Sequence, residues 1–269
     1  MLHGWCQNAD AFRKRLSSWR RKAARNGVEL VWAEAPHQVT SAFGGEPPPD
    51  AKGWFFPELA PGAEPVSSLR ASGIRYHGLD DSLLALEAAT HAAARSDADA
   101  AGGAGTGARG RPPFDAWLGF SQGAMLAHQL VQAGLAHRAG LPAAASGAAP
   151  MPPSAAAAAS EATASEATLP PAEFGARCSA ILPPAVVMVC GIASRALTPW
   201  PADTPLPLPS LHITSPEDRS IPEELQVELM GRFRAAGRAR IVHGHGHAMV
   251  QQAADIDAVI AWLRSAAPA

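Results

Sequence analysis

Residues 115–127 have the sequence DAWLGFSQGAMLA, which contains the pattern Gly-x-Ser-x-Gly around Ser121. Residues 114–119 are typical of a buried strand, and residues 122–133 are typical of a helix. A strand, a sharp turn and a helix around this pattern predict a nucleophile elbow, which holds the serine Oγ above a sheet at a helix N-terminus. We therefore predict that Ser121 is a nucleophile; the alternative is a small residue that only fits the turn.

A serine hydroxyl needs a general base, and a histidine-rich loop follows the last predicted strand. Residues 243–247 of this loop have the sequence HGHGH. We predict that His247 is the base, with His243 and His245 as the alternatives. A zinc site built from the three histidines is a further alternative, because imidazole is a common zinc ligand.

An acidic side chain should orient the base, and the stretch SPEDRSIP at residues 215–222 follows the predicted strand 211–214. We predict that Asp218 has this role, with Glu217 and Asp203 as the alternatives. The resulting order of serine, aspartate and histidine along the chain is that of α/β-hydrolases. Each candidate also follows the carboxyl end of a strand, the edge where open α/β sheets place their sites.

Acyl transfer also needs hydrogen-bond donors for the oxyanion. One predicted donor is the backbone N–H of Gln122, which follows the nucleophile. The other is the N–H of Trp5, in the early loop LHGW at residues 2–5. Apolar side chains near these motifs are candidates for substrate binding, with core packing as the alternative for each: Trp54, Phe120 and Met125.

Predicted strands alternate with predicted helices along the chain. The helices are expected at residues 8–27, 79–95, 122–133, 222–236 and 253–264, and the strands at 28–33, 114–119, 185–190, 211–214 and 238–242. This alternation predicts a mostly parallel sheet with helices on both faces, a three-layer α/β sandwich. The Ala-, Gly- and Ser-rich stretches at about 96–113 and 141–172 are expected to be exposed insertions in a single domain spanning 1–269.

Charge, hydropathy and cysteine content narrow the function classes. The 22 basic and 24 acidic residues give a net charge of −2, whereas a nucleic-acid binder usually has a basic face, so we expect no nucleic-acid partner. No apolar run reaches the roughly 18 residues of a membrane span. Three cysteines are typical of reduced thiols and predict a cytoplasmic protein. The acyl-transfer motifs described above predict a small-molecule acyl ester as the partner.

Several motifs occur in one order and together resemble a known family, the FSH-type serine hydrolases, which include the ovarian cancer-associated protein 2 group. They are LHGW at 2–5, APH at 35–37, GLDDSL at 78–83, GFSQG at 119–123, Asp218 with IP at 221–222, and the loop 243–247. The resemblance covers nearly the whole chain outside the two Ala-rich stretches. It implies an α/β-hydrolase fold without a large lid and a carboxylic ester hydrolase with the triad Ser121, Asp218 and His247. It implies no metal or organic cofactor.

The chain departs from this family pattern in two places. Only Met1 and Leu2 precede His3, where the family has a full strand, so we expect a truncated first strand. His245 replaces a glycine of the histidine loop. Two alternatives to an esterase stay open at this point: a thioesterase with the same triad, and a non-catalytic relic of the family.

Overall fold

The structure is a computed structural model and describes residues 1–40, 46–58, 70, 74–100, 114–142, 148–149, 169–196 and 198–266. Its helices are α1 (Ala9–Arg15), α2 (Ser17–Arg25), α3 (Leu79–Ala100), α4 (Gln122–Arg138), α5 (Pro171–Ile181), α6 (Glu223–Gly231) and α7 (Ala253–Ala266). Its strands are β1 (His37–Gln38), β2 (Lys52–Gly53), β3 (Phe56–Pro57), β4 (Tyr76–His77), β5 (Ala116–Phe120), β6 (Ala148–Ala149), β7 (Ala185–Val189), β8 (Ser210–Thr214) and β9 (Arg238–Val242).

A parallel sheet with the strand order β5-β7-β8-β9 forms the centre of the fold. Its register runs through Leu118, Val187, Leu211 and Ala239, which pair in sequence across the four strands. Every residue of β7 and β8 is buried, as expected for strands covered on both faces. Because all four strands are parallel, their carboxyl ends meet at one edge of the sheet.

Helices cover both faces of this sheet. On one face, α1, α2 and α7 bury side chains such as Phe12, Trp19 and Ile260 against alternate strand residues including Leu118, Val187 and Leu211. On the other face, α3, α4 and α5 bury Leu83, Leu130 and Phe174 against Trp117, Val186 and Met188. Successive strand residues point to opposite faces, which explains this division. The three-layer α/β arrangement predicted from the sequence is confirmed.

The first strand of the sheet is reduced to one pairing residue, Leu2. It forms parallel bridges to Ala33 on one side and to Gly119 on the other. The Leu2 N–H donates to the Leu118 carbonyl at 2.8 Å, and the Phe120 N–H donates to the Leu2 carbonyl at 3.0 Å. Leu2 therefore lies between Ala33 and Gly119, next to β5.

The strand predicted at residues 28–33 is wrong apart from Ala33. The Met1 amine donates to the Val31 carbonyl at 2.7 Å, and the Ala33 N–H donates to the Met1 carbonyl at 3.2 Å. Beyond these contacts, a cavity of about 420 Å³ is lined by residues 27–31 on one side and by residues 114–118, at the start of β5, on another. A strand needs a hydrogen-bonded neighbour, so this apolar segment remains irregular.

The helix boundaries differ from the predictions in three places. The helix predicted at 8–27 is interrupted at Leu16, whose φ of −101° and ψ of 37° leave the helical region. Helix α3 continues to Ala100, five residues into the first Ala-rich stretch. Helix α5 was not predicted, although it begins within the second stretch and buries Phe174, Cys178 and Ile181 at helical spacing. Residues 101–113 of the first stretch and residues 143–147 and 150–168 of the second lie outside the described residues.

The sequence predicts a cytoplasmic protein from its reduced cysteines and from the absence of a long apolar run. Cys6, Cys178 and Cys190 are free thiols. No helix in the described ranges combines the length and the apolar character needed to cross a membrane. The cytoplasmic location stays a prediction.

Candidate active site

Ser121 lies at the sharp turn between β5 and α4, with a φ of 52° and a ψ of −116°. A positive φ at a residue with a Cβ is strained and persists only where surrounding contacts enforce it. The turn is enforced by close backbone contacts: a Cβ at Gly119 would lie 2.5 Å from the Gly123 carbonyl oxygen, and one at Gly123 would lie 2.4 Å from the Leu2 carbonyl oxygen. Both flanking positions of the motif therefore require glycine.

His247 lies within hydrogen-bond distance of the other two residues predicted to act with it, Ser121 and Asp218. His247 Nε2 is 2.9 Å from Ser121 Oγ, and His247 Nδ1 is 2.7 Å from Asp218 Oδ2. The carboxylate accepts from Nδ1–H, which leaves Nε2 free to accept the serine proton. This is the geometry that general-base activation of a hydroxyl requires.

Asp218 is buried and surrounded by donors. Its Oδ1 accepts from the N–H groups of Ser220 and Ile221, each at 2.8 Å, and Oδ2 also accepts from Gln226 Nε2 at 3.2 Å. Burial acts to raise the pKa of Asp218, but the hydrogen bond from His247 and those from the backbone outweigh it, so the net pKa is lowered. The carboxylate is therefore ionised at neutral pH.

The alternative bases and acids point elsewhere. His243 Nε2 lies 3.7 Å from Cys190 Sγ, and His245 Nε2 lies 2.9 Å from Gln252 Nε2. Glu217 and Asp203 are exposed. His245, at the position of a family glycine, does not adopt a positive φ; within this loop only Gly246 does, at 66°.

A metal site built from the three histidines is not what the structure assembles. Within the described ranges, the metal-binding atoms that converge belong to Cys190, Asp218 and His247, all within 4.8 Å of one another. His247 is shared between this group and the histidine loop, whereas His243 and His245 lie outside it. Sequence reasoning missed Cys190, which follows β7 at a strand end, as the other candidate residues do.

The LHGW loop runs against the nucleophile. A Cβ at Gly4 would lie 3.3 Å from Ser121 Cβ. His3 is fully buried and holds the loop: its Nδ1–H donates to the Gly4 carbonyl at 2.9 Å, and its Nε2 accepts from the Ala35 N–H at 3.2 Å. Trp5, the predicted oxyanion donor, follows directly, and its ring packs over Gly53.

Gln122, the other predicted oxyanion donor, begins α4. The first N–H groups of a helix have no acceptor within the helix, so they can face a ligand. Its side chain also has a structural role that sequence reasoning missed. Oε1 accepts from the Trp54 N–H at 2.9 Å, and Nε2 donates to the Phe55 carbonyl at 2.7 Å. No local sequence pattern predicts these contacts, because they join residues that are 67 and 68 positions apart in the chain.

The three residues predicted to bind substrate have different surroundings. Trp54 is fully buried and donates from Nε1 to the His3 carbonyl at 2.9 Å, and its contact with substrate stays a prediction. Phe120 is buried, with its ring centroid 5.1 Å from that of His247. Met125 is half-buried and packs against an apolar cluster that sequence reasoning missed, made of Ile192, Ile221 and Leu225.

Two proteins named esterase and one solved carboxylesterase are similar to this chain. Esterase OVCA2 from Mus musculus is 27% identical over 272 residues, which cover 97% of this chain and 93% of that protein. Esterase OVCA2 from Homo sapiens is 27% identical over 91% of this chain and 86% of that protein. Among solved structures, a carboxylesterase from Bacillus cereus is 13% identical with a TM-score of 0.48, and covers 98% of this chain and 86% of its own.

The family assignment rests on a match along most of the chain. The family model described as serine hydrolase (FSH1) matches residues 1–259. That range includes Ser121, Asp218, His247 and the LHGW loop. The chain therefore belongs to the FSH1 family of serine hydrolases.

Proposed function

We propose that this serine hydrolase cleaves carboxylic esters through an acyl-enzyme intermediate, with Ser121 as nucleophile, His247 as general base and Asp218 as the orienting acid. The observation that supports this most directly is the unbroken hydrogen-bonded series from Ser121 Oγ through the imidazole to the Asp218 carboxylate, with distances of 2.9 Å and 2.7 Å. The relatives' printed name, esterase, supports an ester as the substrate.

Acylation begins when His247 Nε2 takes the Ser121 hydroxyl proton as Oγ attacks the ester carbonyl carbon. The N–H groups of Trp5 and Gln122 stabilise the resulting oxyanion. The protonated imidazole then gives its proton to the departing alkoxide, and the alcohol leaves. Asp218 stays ionised throughout and keeps the Nδ1–H tautomer.

Deacylation repeats these steps with water in place of serine. His247 Nε2 takes a proton from water, and the hydroxide attacks the acyl carbon. The tetrahedral intermediate collapses, Ser121 Oγ leaves with the proton returned by the imidazole, and the carboxylic acid is released. This sequence of steps uses no metal ion and no organic cofactor.

Met125 is the proposed contact for the acyl group. It lies one turn into α4, where its N–H donates to the Ser121 carbonyl at 3.2 Å. Its half-buried side chain joins Ile221 and Leu225, which are apolar and lie near Asp218 in the chain. An apolar wall beside the nucleophile suits an alkyl acyl chain, because desolvating such a chain is favourable.

The test is covalent labelling with a fluorophosphonate together with turnover of a p-nitrophenyl ester. The native chain should be labelled and active, and Ser121→Ala should lose both properties with its melting temperature unchanged. Ser220→Ala is the matched control, since it removes an exposed hydroxyl beside Asp218 and keeps the N–H that Asp218 accepts.

Retained turnover in Ser121→Ala would overturn the nucleophile assignment. A folded native chain that is neither labelled nor active would support the non-catalytic alternative. Comparing kcat/KM for an ester and a thioester with the same acyl group would show whether the preferred leaving group is an alcohol or a thiol. A strong preference for the thioester would mean that the enzyme is a thioesterase.

A further inference from the structure

Cys190 is a buried thiol beside the candidate active site with no role in the steps above. It follows β7, is fully buried and has a φ of 46°. Its Sγ lies 3.7 Å from His243 Nε2 and 3.7 Å from the Ala248 carbonyl oxygen. Burial raises the pKa of this thiol to about 12, and the charge of Asp218 acts in the same direction. The free thiol is therefore neutral and not a nucleophile.

The atoms around this thiol have the spacing of a metal site. One atom each from Cys190, Asp218 and His247 lie within 4.8 Å of one another, with His247 Nδ1 and Asp218 Oδ2 separated by 2.7 Å. Ligands of tetrahedral zinc bind at about 2.0–2.3 Å, which places them roughly 3.3–3.8 Å apart. Side-chain shifts of about 1 Å would therefore bring the three donors to binding distance.

The chemistry of these donors selects a soft divalent cation. A thiolate, an imidazole and a carboxylate together suit Zn²⁺ or Cd²⁺, whereas Mg²⁺ and Ca²⁺ prefer oxygen ligands alone. A thiolate and a carboxylate also neutralise the two positive charges, which matters because Cys190 and Asp218 are buried. His243 adds a second imidazole next to the sulfur.

We propose that a thiophilic divalent cation binds between Cys190, Asp218 and His247 and inhibits the enzyme by taking His247 away from Ser121. The inhibition rests on the proposed function, and the binding does not. The Cys190 thiol proton passes to solvent as the metal–sulfur bond forms. The metal replaces the proton on His247 Nδ1, and the neutral ring then carries its proton on Nε2, where it cannot accept one from Ser121.

The experiment measures binding and inhibition separately. Cd²⁺ is titrated into the metal-free protein, with calorimetry for affinity and ultraviolet difference spectra for the sulfur-to-cadmium charge-transfer band. Zn²⁺ inhibition of p-nitrophenyl ester turnover is measured in parallel, relative to the metal-free rate of each variant. We expect one ion per chain, a charge-transfer band, and inhibition that is reversed by EDTA.

Two cysteine variants assign the site. Cys190→Ser nearly keeps the size of the side chain but replaces the soft sulfur ligand with a hard oxygen ligand. We therefore expect loss of the charge-transfer band and a Cd²⁺ affinity that is weaker by about tenfold or more. Cys6→Ala is the matched control, because Cys6 is a partly exposed thiol in the LHGW-loop region, outside the group of converging donors. It should keep both the band and the affinity.

The outcomes separate the two proposals. A band and an affinity that survive in Cys190→Ser would overturn the metal site, and loss of the band in Cys6→Ala would place the metal at the other thiol. Ser121→Ala should still bind Cd²⁺. A native chain that binds Cd²⁺ through Cys190 but hydrolyses no ester would keep the site and overturn the proposed function. An active chain that Zn²⁺ does not inhibit would keep the proposed function and overturn the inhibition.

Discussion

At the scale of single residues, the orientation of His247 depends on Asp218. Asp218→Asn should lower kcat by about 10³–10⁴, because the neutral amide no longer favours the Nδ1–H tautomer or stabilises the imidazolium. Ester turnover measures the effect, and the melting temperature checks the fold. Glu217→Gln, which changes the exposed neighbouring carboxylate, should leave turnover nearly unchanged. Equal losses in both variants would contradict the role of Asp218.

At the same scale, the structure brings together three side chains that the sequence singles out. Ser121, His247 and Asp218 each follow a strand, and parallel strands bring such positions together without knowledge of the packing. The surroundings of Trp54 could not be predicted, because its burial depends on His3 and Gln122, which are distant in the chain. The same holds for Cys190, whose neighbours come from the loop after β9.

At the scale of elements, the contact between the first turn of α4 and the LHGW loop holds the elbow in place. Gly123→Ala should destabilise the protein by about 1–3 kcal/mol and weaken fluorophosphonate labelling, because its Cβ would meet the Leu2 carbonyl oxygen at 2.4 Å. Urea denaturation and labelling rates are the measurements. An unchanged free energy of unfolding would mean that the LHGW loop moves aside without destabilising the protein.

Gly231→Ala is the matched control for that substitution. Gly231 ends α6, is exposed and has open space where a Cβ would lie. Alanine is the better helix former, so the variant should gain up to about 1 kcal/mol. A loss of stability similar to that of Gly123→Ala would show that the backbone contact is not the cause.

Element-scale prediction worked for strands with a buried pattern and failed where pairing decides. Strand β7, Ala185–Val189, is buried throughout and agrees with the predicted strand 185–190 to within one residue. Residues 28–33 are also mostly apolar, yet only Ala33 forms a bridge, and sequence patterns do not report a missing neighbour. Helix α5 was hidden by the alanine-rich composition of the stretch in which it begins.

At the scale of the whole molecule, two buried histidines tie stability to pH. His128 and His212 both lie against Phe233, and burial, with nearby arginine charges, lowers the pKa of each to about 3. In the unfolded chain their pKa is about 6.5, so the unfolded state binds more protons below that pH. The contribution of the two neutral histidines to the free energy of unfolding is therefore fully present above about pH 6.5. It is lost as the pH falls toward 3, by about 2 kcal/mol per histidine at pH 5.

Urea denaturation at pH 8 and at pH 5 measures this dependence. His128→Gln should lower the difference in unfolding free energy between the two pH values by roughly half of the histidine contribution, whatever its effect on absolute stability. Equal stability of the native chain at both pH values would contradict the burial of neutral imidazoles.

The amine of Met1 has a practical consequence for anyone who handles this protein. It donates to the Val31 carbonyl beside the bridge between Leu2 and Ala33, and burial lowers its pKa to about 5, so it is neutral at physiological pH. An affinity tag or fluorescent fusion joined to Met1 would turn this amine into an amide and add chain next to the cavity that Met1, residues 27–31 and the start of β5 line.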